Sequence, residues 1–366
     1  MEGLFALGSN GSGQLGIGHL EDVSVPKQVE FEPASDGPSP EDAVCKIAAG
    51  GNHTILLTES GRAYWSGDAQ SGCAGRLSPE VTTTSTRFRR VLLTDDTSEA
   101  QPRISLIACM WACSIFVTVH SPDASQTVYT FGETVGTPTV VPNFPPPGTK
   151  IVDTHACFRH AVFVLSNGDV YGYGTGTKGQ LGAMDDLPKP VTGLPRRIAD
   201  VGFQVTRAVC SQFSTCLISE PGDGRILVLG ADKWSLITSA PIAVPDWKSI
   251  TASWGNFYVL KYGGDVVAWG RSDHGQLPPP EHPSITDLVA GSEHCVALTT
   301  EGDVLAWGWG EHGNCGPATD GSGGDVSGRW NTLASLRHLP ATSRITAMGA
   351  GCATSWINIA TDGLFI

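Results

Sequence analysis

Ile47-Ala-Ala-Gly-Gly-Asn-His-Thr-Ile-Leu-Leu-Thr58 and Leu288-Val-Ala-Gly-Ser-Glu-His-Cys-Val-Ala-Leu-Thr299 are two copies of one phrase. A turn follows each, Glu59-Ser-Gly61 or Glu301-Gly-Asp303, where glycine accepts a positive φ cheaply. Next comes a short strand ending in glycine, Ala63-Tyr-Trp-Ser-Gly67 or Val304-Leu-Ala-Trp-Gly308. This anchor strand occurs seven times, at 4–8, 63–67, 128–132, 170–174, 226–230, 266–270 and 304–308. Each repeat therefore reads as strand, loop, strand, tight turn, strand and a Gly-rich outer segment.

One copy of the phrase, Ile345-Thr-Ala-Met-Gly-Ala-Gly-Cys-Ala-Thr-Ser-Trp-Ile-Asn-Ile359, runs to a turn at Thr361-Asp362-Gly363 and has no anchor after it. Its anchor is Leu4-Phe-Ala-Leu-Gly8, at the other end of the chain. A repeat cut circularly at its hairpin fits a closed ring, in which both chain ends share one blade and no sheet edge stays open. A linear solenoid would instead need atypical capping repeats. The expected fold is all-β: a seven-bladed β-propeller forming a single domain over 1–366, its terminal blade closed by both chain ends. Length beyond the repeat is expected in loop insertions near 33–43, 76–103, 142–149 and 317–343. Leu364-Phe365-Ile366 also reads as the start of a strand, which leaves the seam open.

Composition agrees. The 366 residues include 45 Gly, 24 Pro and 10 Trp, with only 16% charged, which argues against a helical bundle. With 23 basic against 36 acidic residues, the net charge of −13 disfavours bulk nucleic-acid or membrane-surface binding. The short basic run Arg87-Phe88-Arg89-Arg90 is expected to be a solvated loop. No apolar stretch is long enough to span a bilayer, and the first residues lack the pattern of a secretory leader. The expected location is the cytoplasm, with the nucleus as a second compartment, and the ten cysteines are expected to be reduced.

The outer segments Gly8-Ser-Asn-Gly-Ser-Gly-Gln-Leu-Gly16, Gly174-Thr-Gly-Thr-Lys-Gly-Gln-Leu-Gly182 and Gly270-Arg-Ser-Asp-His-Gly-Gln-Leu277, with the Ala-Ala-Gly-x-x-His-Thr phrase at 48–54, resemble the repeat of the regulator of chromosome condensation family. The Trp-Asp dipeptide of the other large propeller class is missing from the anchors. The stretch 5–22, in a compact chain without tails, most resembles the fungal alpha-tubulin-suppressor, or killer-toxin-insensitivity, branch. That resemblance implies a non-catalytic protein forming a heterodimer with a small acidic zinc/iron protein. The pair would support diphthamide synthesis on elongation factor two and Elongator-dependent modification of wobble uridines in tRNA, with contact to Elongator at most indirect. The founding member implies an alternative, nucleotide exchange on a small GTPase, with the insertion 76–103 as a wedge. A regulatory domain of a ubiquitin ligase is a third reading, without an appended catalytic domain here.

The remaining motifs have plainer roles. Gly11, Gly13, Gly16 and Gly174, Gly176, Gly179 match G-x-G-x-x-G, but a dinucleotide site needs a helix to follow, and the glycines recur because the repeat recurs. No cofactor is expected. The cysteines lack C-x-x-C spacing. Cys109 and Cys210 share the repeat slot of Ala49, and Cys157 that of Gly50, so packing near the axis is the main expectation, with metal or redox chemistry as the other. His53, His160 and His294 share a slot with Cys113, Ser214, Asn256 and Thr354, which suggests a hydrogen bond to a neighbouring strand. No nucleophile or carboxylate repeats beside it, so no catalytic residue is assigned.

The two residues before that slot are the candidate site. They are Gly51-Asn52, Trp111-Ala112, Phe158-Arg159, Gln212-Phe213, Trp254-Gly255, Ser292-Glu293 and Cys352-Ala353. In a propeller these loops share one face. Trp111, Phe158, Phe213 and Trp254, with Arg159, form an aromatic arc suited to binding a protein partner. The competing expectation is that the rings fold back and plug the channel. Long-range charge opposes the meeting of two acidic proteins, so the interface is expected to rest on apolar contacts and on local bases such as Arg159, Lys178 or Arg207.

Overall fold

Seven antiparallel sheets stand around a central channel in a computed structural model that describes residues 2–39, 41–78, 83–94, 101–132, 135–182 and 191–361. Blade one spans 44–92, blade two 103–140, blade three 151–197, blade four 207–230, blade five 247–270 and blade six 285–335. Blade seven joins 343–361 to 3–28: Thr354–Thr361 pairs with Gly3–Gly8, from Gly3 opposite Ile359 to Gly8 opposite Thr354. This is the circular closure read from the split repeat. The turn at 362–363 and residues 364–366 lie outside the described residues.

Each middle strand is covered by a neighbouring blade on both faces, so it is apolar along its length instead of alternating. His53–Thr58 and His160–Leu165 are buried at every position. Large rings fill the wedges between blades: Trp65 of blade one lies in a cluster with Phe116 and Phe131 of blade two. Full burial of each such ring contributes about 2–3 kcal/mol.

The anchor glycine has a direct cause. Gly67, Gly132 and Gly270 hold φ of +132°, +124° and +121°, and a Cβ on them would stand 2.2–2.3 Å from the carbonyl oxygens of Asn52, Ala112 and Gly255. The outer Gly-Gln-Leu turn is equally local. Gln14, Gln180 and Gln276 each accept the backbone N–H two residues earlier, while Leu15 and Leu181 are fully buried. These glycines thus serve turns, and among the described residues no helix opens on them.

Two segments expected as loops contain strands. Thr84–Leu92 and Arg76–Ser78, in the 76–103 insertion, give blade one a five-stranded sheet, and Asp325–Ser335, in the 317–343 insertion, is the outer strand of blade six. The basic run sits on the first of these rather than in a solvated loop. Phe88 is fully buried under Gly16 of blade seven, and Arg87 and Arg89 pair with Glu30 and Glu32 at 2.7 Å. The segment 33–43 includes a short 3-10 turn, Ala34–Asp36, and 142–149 is irregular.

Candidate protein-docking site

The loops joining the first and second strands of the blades gather at one mouth of the channel. The Gly-rich outer segments begin on the same face, because in blades three to six the residue after the anchor donates its N–H to a loop carbonyl: Thr175 to Arg159, Ala231 to Phe213, Arg271 to Gly255 and Trp309 to Glu293. Backbone bonds then run from blade to blade around the mouth. Gly51 donates to Trp111, Trp111 to Phe158, Gln212 to Trp254, Trp254 to Ser292 and Ser292 to Gly351, at 2.8–3.1 Å. The side chains of the arc therefore project from loops bonded to one another across blades one to three and blades four to seven.

The structure brings the predicted aromatics together and folds them inward. Trp111 of blade two and Trp254 of blade five lie 6.0 Å apart between ring centroids, across the mouth. Phe158 meets Trp111 at 5.7 Å, Phe213 at 6.2 Å and Trp254 at 6.5 Å. The guanidinium of Arg159 lies 5.7 Å from the Phe158 ring and is otherwise exposed. Blade one leaves room for this convergence, since a Cβ on Gly51 would stand 2.4 Å from the Trp111 ring. The rings cover one end of a channel of about 380 Å³, yet Trp111 keeps 38% of its surface exposed. Plug and exposed patch are thus two sides of the same cluster.

The face extends beyond the arc. Lys178, Trp234, His274 and His312 each stand four residues after an anchor glycine, an offset visible in the sequence and not used there. The Lys233 ammonium lies 3.9 Å from the Trp234 ring and 5.5 Å from that of Phe213. Arg271 reaches Trp234 at 5.3 Å and pairs with Asp273 and Glu293. His274 and His312 flank Trp309 and bond to Asp325 at 3.0 Å and Asp22 at 2.7 Å, tying each outer loop to the next blade. Arg207 belongs elsewhere. It starts Arg207–Cys210 at the end away from the mouth, beside Asp153, and is not part of this face.

The shared histidine slot is a latch between blades. The Nε2 atoms of His53, His160 and His294 lie 3.3, 3.0 and 2.9 Å from the hydroxyls of Ser114, Thr215 and Ser355 on the next blade. Those hydroxyls donate to the carbonyls of Cys73, Gln180 and Asn314. A hydroxyl has one proton, so it accepts from the imidazole, and the ring is the neutral Nε2–H tautomer. Burial agrees, pushing His53 and His294 down to about 4 and His160 to about 3. Between blades seven and one, Thr354 takes the histidine position, and the hydroxyls of Thr354 and Thr54 are buried without partners.

The cysteines are free thiols. Cys109 and Cys210 are buried, and burial raises both well above the usual thiol value; Cys157 is pushed up to about 12. Such thiols resist ionisation and pack as small apolar groups. Among the described residues no three His, Cys, Asp or Glu side chains are placed to hold a metal ion.

Comparison with known proteins agrees with this architecture. A model described as the regulator of chromosome condensation (RCC1) repeat matches residues 3–57 and 167–218, and a second of the same description matches 44–73 and 285–314. An RCC1 repeat-containing protein of Schizosaccharomyces pombe is 29% identical, over 97% of this chain and 98% of its own. The secretion-regulating guanine nucleotide exchange factor of Mus musculus is 27% identical, over 96% of this chain and 82% of its own. Among solved structures, Prp20p from Saccharomyces cerevisiae, described with its binding to Gsp1p and histones, superposes with a TM-score of 0.75 at 18% identity, covering 99% of this chain and 92% of that one.

Proposed function

We propose that this chain, whose propeller matches the regulator of chromosome condensation repeat over several stretches, is a non-catalytic protein-binding scaffold whose docking site is the aromatic mouth. The observation that carries this is the convergence of Trp111, Phe158 and Trp254, with Trp111 exposed, on loops tied to neighbouring blades by backbone hydrogen bonds. Rings held in place lose little entropy when a partner covers them, so they suit a binding hot spot. The partner in this reading is a small acidic zinc/iron electron-carrier protein, and the pair serves diphthamide synthesis and Elongator-dependent wobble-uridine modification. Its support is the likeness of the stretch 5–22 to the alpha-tubulin-suppressor branch. Calorimetry of the two purified proteins tests it. Tight one-to-one binding is expected, and no binding up to high micromolar concentration overturns the pairing.

Nucleotide exchange on a small GTPase is the second reading. It is favoured by the mouse relative, whose name states that activity. The described strands of 76–103 are built into blade one and do not form a projecting wedge. Nucleotide release from a panel of small GTPases separates the two readings.

A further inference from the structure

Besides the ion-paired Arg271, the mouth carries two cations held over aromatic rings in a protein of net charge −13. Arg159 lies over Phe158, and Lys233 over Phe213 and Trp234. Both are exposed, as is Lys178 on the neighbouring outer loop, and among the described residues none of the three is ion-paired with a carboxylate. Nearby carboxylates are already engaged. Asp232 accepts the backbone N–H groups of Ile237 and Thr238, and Asp273 and Glu293 are taken by Arg271. Blades three and four therefore present local positive charge beside an apolar surface, with an acidic field around it. The backbone has been bent to hold this arrangement. Phe158 and Trp234 adopt φ of +53° and +58°, a left-handed conformation that costs a non-glycine residue about 1 kcal/mol or more.

Resting on the docking role proposed above, we infer that this site takes an extended acidic segment of the partner, its carboxylates against Arg159, Lys178 and Lys233 and one aromatic or aliphatic side chain on Trp111 and Trp254. Charge complementarity selects the acidic residues, and the exposed part of Trp111 selects the apolar one. Single-stranded nucleic acid also combines negative charge with flat rings, but it needs a track of cations, and the net charge here opposes a long polyanion.

The probe is a fluorescent twelve-residue peptide of Asp, Glu and Ser with one central Phe, followed by anisotropy against the full chain. Micromolar binding is expected. It should weaken at least about tenfold when the Phe becomes Ala, at least about tenfold in an Arg159→Glu, Lys233→Glu variant, and severalfold as salt rises from about 50 to 300 mM. An intact circular-dichroism spectrum and melting temperature of the variant exclude misfolding as the cause; if that pair fails to fold, Lys178→Glu gives the same reading at an exposed position. Equal binding of a lysine-for-acid peptide, or unchanged binding by the charge-reversed variant, overturns the inference. So does equally good competition by a twelve-nucleotide thymidine oligomer. If the zinc/iron protein fails to bind while the peptide binds, the partner assignment falls and the inference stands. If that protein binds and charge reversal leaves its affinity unchanged, the inference falls and the scaffold reading stands.

Discussion

Lowering the pH from 7 to 5 places protons on four imidazoles of the unfolded chain that the propeller keeps neutral. Burial holds His53 and His294 at about 4, and His155 and His160 at about 3, against an ordinary value of 6.5. A base with a lowered folded value binds fewer protons in the native state. Its stabilising contribution is complete above pH 6.5, falls as pH drops, and levels off below pH 3–4. At pH 5 each histidine has lost about 2 kcal/mol, so the gross loss is on the order of 7 kcal/mol, comparable with the stability of many proteins. Two groups act in the opposite direction: burial raises Asp153 and Asp287, which take up protons earlier in the folded state and offset part of the loss. The clean test is His294→Gln, whose amide can still donate to Ser355. Urea midpoints are measured for both proteins at pH 7 and pH 5. The variant is expected to lose about 2 kcal/mol less than the parent across that interval. A difference below about 0.5 kcal/mol would show that His294 does not carry a proton linkage and would refute the neutral latch.

Other variants probe single contacts. Ser355→Ala leaves the buried His294 Nε2–H without an acceptor and should cost about 1–3 kcal/mol in denaturant unfolding, more than the same change at exposed Ser272. Gly50→Ala drives a Cβ to 2.2 Å from the His53 ring and 2.7 Å from the Met110 carbonyl, so a loss of about 1–3 kcal/mol is expected, measured the same way. Trp111→Ala with Trp254→Ala should weaken partner binding by about 10–100-fold in calorimetry while the far-ultraviolet spectrum is kept. Removal of 354–361 leaves Gly3–Gly8 paired only with Val23–Gln28, breaks blade seven and should abolish cooperative unfolding.

The repeat was legible because each copy solves the same local problem. Gly67, Gly132 and Gly270 stand where a neighbouring carbonyl leaves no room for a Cβ, so the anchor could be read without coordinates. The histidine slot was legible as a hydrogen-bonding position. Its partner was not named, although Ser114, Thr215 and Ser355 all stand one residue after the same slot in the following blade. The meeting of Trp111 with Trp254 depends on the width of the channel, which the order of residues does not encode. Strand Thr84–Leu92 was missed because its run of arginines reads as surface, while the ring that anchors it, Phe88, is a single apolar residue. Trp234 escaped because its position depends on two successive left-handed residues, Trp234 and Ser235, neither of them glycine.

Sharing blade seven between the two ends of the chain also sets an order of events during synthesis. Gly3–Gly8 emerges from the ribosome some 350 residues before Thr354–Thr361. At about 5–20 residues per second, the leading strand waits about 20–70 s for its neighbour. Throughout that wait six blades can form but cannot close, and an apolar β-edge faces the other nascent chains.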